Sequence, residues 1–87
     1  MTLVDTHPRP TTVFTVRGTD PVALEVRGPL DAEAVVSFHA VADWLIGARS
    51  VTLDLTSCPT VDAVGDRAVD EAVRRIVEAG GKVTLRS

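Results

Sequence analysis

The stretch Val51-Thr-Leu-Asp-Leu-Thr-Ser-Cys-Pro-Thr-Val-Asp-Ala-Val-Gly65 joins an alternating apolar run to the start of a helical one. Val51, Leu53 and Leu55 fall on one side of an extended chain, with Thr52 and Asp54 on the other, which predicts a strand with one buried face. Thr56-Ser-Cys-Pro-Thr60 breaks the alternation and reads as a loop. Val61-Asp62 then leads into a helix predicted over 63–79, with Val69, Ala72, Val73, Ile76 and Val77 as its apolar stripe. Arg67, Asp70, Glu71, Arg74 and Glu78 lie mostly outside that stripe. Gly80-Gly81 ends the helix through a left-handed turn, and Lys82-Val-Thr-Leu-Arg86 is a last strand. A strand, a helix and a second strand in this order demand parallel pairing with a right-handed crossover.

The same logic extends toward the amino end. Gly28-Pro-Leu-Asp31 precedes a second amphipathic run, and Asp31 is a good N-cap. The helix is predicted over 32–46, with Val35, Phe38, Ala42, Leu45 and Ile46 on one stripe and Gly47 as its stop. Before it, 12–17 and 22–27 read as strands around the turn Gly18-Thr-Asp-Pro21, an antiparallel hairpin. In the second of these strands Val22, Leu24 and Val26 share the buried side. Residues 1–11 are polar, carry Pro8 and Pro10, and are expected to form a flexible arm. The expected fold is α/β, one domain over 12–87. Its mixed, mainly parallel sheet has about four strands with helices packed on it, in the order β-β-α-β-α-β.

Bulk composition narrows the function. Eighty-seven residues make one domain at most, and 45% hydrophobic residues argue against disorder throughout. A net charge of -3, with basic residues scattered, disfavours nucleic acid as a partner. The adjacent Arg74 and Arg75 read as a solvated helix face. The single cysteine, Cys58, excludes an internal disulfide and a multi-cysteine metal site. No segment has the apolar length of a membrane span or a signal peptide. A cytoplasmic protein is expected, with no direct membrane insertion.

From position 22 to position 85 the chain resembles a STAS domain. Gly28-Pro29-Leu30-Asp31 is similar to the family's Gly-x-Leu-Asp turn before its first long helix. Val51-Thr-Leu-Asp-Leu55 is similar to its apolar strand ending Asp-Leu, and Gly80-Gly81-Lys82-Val83 to the Gly-Gly before its fourth strand. Val61-Asp62-Ala63-Val64-Gly65 matches the Asp-Ser-Ser-Gly signature in Asp62 and Gly65. The resemblance implies a non-enzymatic protein-binding regulator like an anti-sigma factor antagonist. Its implied partner is an anti-sigma factor of histidine-kinase-like ATPase fold. In that family a partner kinase phosphorylates the hydroxyl next to the Asp, and the added dianion switches binding off. Here that position is Ala63, followed by Val64, so no phosphorylation is expected there. Ser57 or Thr60 could take the role only after a register shift. The family usually continues past its fourth strand with a helix, a strand and a last helix, whereas this sequence stops at Ser87. Surface left uncovered by lost elements leads to the expectation of a homodimer or a stable complex.

The expected partner-binding residues are Ser57, Thr60, Asp62, Ala63, Val64, Gly65, Asp66, Arg67, Asp70 and Arg74. Asp62 would cap the second helix, and Gly65 would allow close backbone packing or the approach of a partner. Other polar residues weigh less. Cys58 reads as an incidental thiol, since no neighbour lowers its pKa. His39 reads as a half-buried helix residue without a paired base, and His7 belongs to the arm. Trp44, beside Leu45, reads as core before interface anchor. Asp54, Asp62 and Asp66 contain the oxygens a magnesium ion would use, but read first as a sheet residue, a cap and a first-turn acid. Glycine-rich phosphate loops are missing, and no cofactor, metal or catalytic residue is expected. The alternative function is an accessory STAS subunit of a lipid-transport ABC complex.

Overall fold

The computed structural model describes residues 12–87; the arm predicted over 1–11 lies outside them. Six elements follow in the order β1 (Val13–Arg17), β2 (Val22–Arg27), α1 (Ala32–Asp43), β3 (Ser50–Ser57), α2 (Ala63–Glu78) and β4 (Lys82–Arg86). The sheet runs β1-β2-β3-β4. β1 is antiparallel to β2, while β2–β3 and β3–β4 are parallel. This is the mixed, mainly parallel α/β sheet that the strand and helix order predicts.

Alternation decides what faces the helices. Val22, Leu24 and Val26 of β2 are buried, and so are Val51, Leu53 and Leu55 of β3. Leu24 stands beside Leu53, and Leu53 beside Leu85. Phe38, Leu30 and Ile76 complete the interior, each with no exposed surface. Covering a side chain of this size is worth about 1.5–3 kcal/mol. Both helices pack on this side and touch each other, with Arg75 of α2 3.3 Å from Asp43 of α1. The opposite sheet face is polar. The row Thr15, Glu25, Asp54 and Arg86 crosses all four strands, and Arg17 and Arg27 reach Glu25 at 3.9 and 3.8 Å.

The helix ends follow local chemistry. Asp31 accepts the Ala34 amide at 2.9 Å and Asp62 the Gly65 amide at 2.8 Å, each satisfying a first-turn donor. At the end of α2, Gly80 takes φ +97°. Its amide donates to the Val77 carbonyl and that of Gly81 to the Ile76 carbonyl, both at 2.9 Å, which is the Schellman arrangement.

Three expectations need correction. The first helix ends at Asp43, not Ile46, because Trp44, Leu45 and Ile46 donate three residues back and tighten the last turn. Trp44 is not core: it is 88% exposed. It lies four residues after Ala40 and eight after Val36, which puts it on the solvent side of α1, while Leu45 takes the inward position after Phe38 and Ala42. Val77 is exposed too, and the buried side of α2 runs instead through Gly65, Ala68, Val69, Ala72 and Ile76.

Candidate docking loop at the carboxyl end of the sheet

The loops leaving β2 and β3 are sewn together. Leu30 donates its amide to the Thr60 carbonyl at 2.9 Å, and Asp62 donates to the Leu30 carbonyl at 3.3 Å. Leu30 and Val61 thereby form a parallel bridge beyond the named strands. Gly28 adds a bond to the Ser57 carbonyl at 3.2 Å. The residue after each bridge partner is a helix cap, Asp31 on one side and Asp62 on the other. The two helices therefore start side by side at the carboxyl ends of β2 and β3, where open parallel sheets present their working loops.

Gly65 makes this stitching feasible. A Cβ at Gly65 would overlap the Leu30 carbonyl oxygen and lie 3.1 Å from Leu30 Cγ. Gly65 is buried, so its role is close packing inside the knot of loops, and no incoming partner can reach it directly.

The other nominated residues separate by position. Ser57, Thr60, Asp62, Ala63, Val64, Asp66 and Arg67 are exposed around the loop and the first turn of α2. Asp70 and Arg74 are exposed as well, but farther along the helix. At 1.5 Å per residue, Arg74 lies about 16 Å beyond Ala63, outside the cluster. The carbonyl of Thr60 accepts the Leu30 amide, while the residue itself is exposed.

Val61, 39% exposed, and Val64, 48% exposed, form an apolar centre. Asp62, Asp66 and Arg67 are exposed beside it in the chain, and Asp31 and Glu33 bring two more carboxyl groups to the neighbouring helix start. Val61 was missed in the sequence, although a signal exists. An apolar residue before the cap normally packs against an apolar one four places into the helix. In α1 that pair is Leu30 and Val35, both buried. In α2 it is Val61 and Asp66, so Val61 has no such partner and stays in solvent.

The remaining candidates have ordinary surroundings. Asp54 lies in β3 and accepts the Thr56 hydroxyl at 2.6 Å and the Thr56 amide at 3.0 Å. The Thr56 hydroxyl first, then its amide and the nearby Arg86, hold the Asp54 carboxyl below its ordinary range. Cys58 donates to the Thr60 carbonyl at 3.4 Å, and burial pushes its thiol up, which leaves little thiolate near neutral pH. His39 is half-buried between the helices, with Glu71 and Arg75 lining the same small space. Among the described residues no three His, Cys, Asp or Glu side chains are grouped to hold a metal ion. None of the described helices is long and apolar enough to cross a membrane.

Solved structures share this architecture. A crystal structure of Mglu superposes with a TM-score of 0.77 at 28% identity, over 84% of this chain and 19% of the Mglu chain. Mglu in its native form gives 0.74 at 22% identity, over 85% of this chain and 22% of its own. The STAS domain of an antisigma-factor antagonist from Rhodobacter sphaeroides gives 0.75 at 23% identity, over 86% of this chain and 85% of that one. This chain thus spans about a fifth of the Mglu chains but most of the Rhodobacter domain. No curated protein sequence matches it. The family model of the STAS domain matches residues 3–87, and with the β-β-α-β-α-β order and the stitched loops already described, the chain belongs to the STAS domain family.

Proposed function

We propose that this chain is a non-enzymatic, protein-binding regulatory module that docks its partner through the loop before α2 and the first turn of that helix. One observation carries this reading. Val61 and Val64 stand exposed beside the charged Asp62, Asp66 and Arg67, on backbone that the Leu30–Val61 bridge ties to the neighbouring loop. An apolar centre with a polar rim is how protein interfaces are built, and a pre-formed loop loses little entropy on binding. The carboxyl groups of Asp31, Glu33, Asp62 and Asp66 favour a partner whose facing surface is basic.

The likeness to an antisigma-factor antagonist domain supports an anti-sigma factor of histidine-kinase-like ATPase fold as the partner. Ala63 is exposed in the first turn of α2, where the family carries its phosphorylated serine. An alanine accepts no phosphate, so this module binds without that off-switch. Titration calorimetry against such an anti-sigma factor from the same genome tests the reading. Val64→Arg is expected to weaken binding about tenfold or more, with Arg74→Glu unchanged. Equal affinity of wild type and Val64→Arg would overturn it.

The alternative reading is an accessory STAS subunit of a lipid-transport ABC complex, with which membership of the STAS family is equally compatible. Co-purification with a membrane ATPase, and no affinity for an anti-sigma factor, would establish that reading instead.

A further inference from the structure

We draw no further inference here: the strongest candidate, the apolar groove that Val16, Val41 and Trp44 line between the hairpin turn and the end of α1, carries nothing because no feature of the structure shows what covers it.

Discussion

Gly65 shows how one missing side chain organises a site. Its α-carbon lies against the Leu30 carbonyl, the same group that accepts the Asp62 amide. Gly65→Ala must push the two loops apart, and overpacking of this kind costs about 1–3 kcal/mol. Urea denaturation should show a lower midpoint with an unchanged slope. The Asp54–Thr56 pair offers a finer test. Thr56 stabilises the carboxylate, so the folded-state pKa of Asp54 lies below its unfolded value. The associated stability is present above the unfolded value and is lost as pH falls through the folded one. Asp54 is half-buried on the polar face of the sheet, near enough to solvent to keep the effect small. In Thr56→Val the Asp54 pKa, followed by carboxyl-carbon NMR titration, should rise toward its ordinary value.

Among the elements, the ends of the helices are better specified than their lengths. Asp31 and Asp62 each cap through a side-chain oxygen, and a cap of this type is worth about 1 kcal/mol. Asp62→Ala should therefore lower stability by about that amount, measured by thermal unfolding, whether or not a partner is present. Gly80 holds a left-handed conformation that an L side chain adopts at a cost of about 1–2 kcal/mol. Gly80→Ala should lower Tm by roughly 4–8 °C for each kcal/mol lost in a domain of this size. No neighbour lies within 4 Å of a Cβ at Gly80, so the loss would report backbone conformation alone.

For the molecule as a whole, the helices cover one face of the sheet and leave the other polar, so a single layer of apolar side chains carries the fold. The two poles of that layer differ. At the carboxyl end, hydrogen bonds between loops extend the parallel pairing of β2 and β3 past the strands. In hydrogen exchange the amides of Leu30 and Asp62, although in loops, should exchange as slowly as those of β3; fast exchange would show that the loops open independently of the core. At the amino end the hairpin turn and the end of α1 leave the Trp44 groove open. Much of this could be read in the residues alone. Alternation in Val51, Leu53 and Leu55, the aspartate caps and Gly80-Gly81 are local signals, set by backbone geometry within a few positions. They were enough for the element order, the mixed sheet and most of the buried residues. The burial of Gly65 against Leu30 and the groove beside Trp44 were settled only when distant segments met. Each depends on which group another part of the chain brings alongside, and pattern along one helix or loop contains no information about that neighbour.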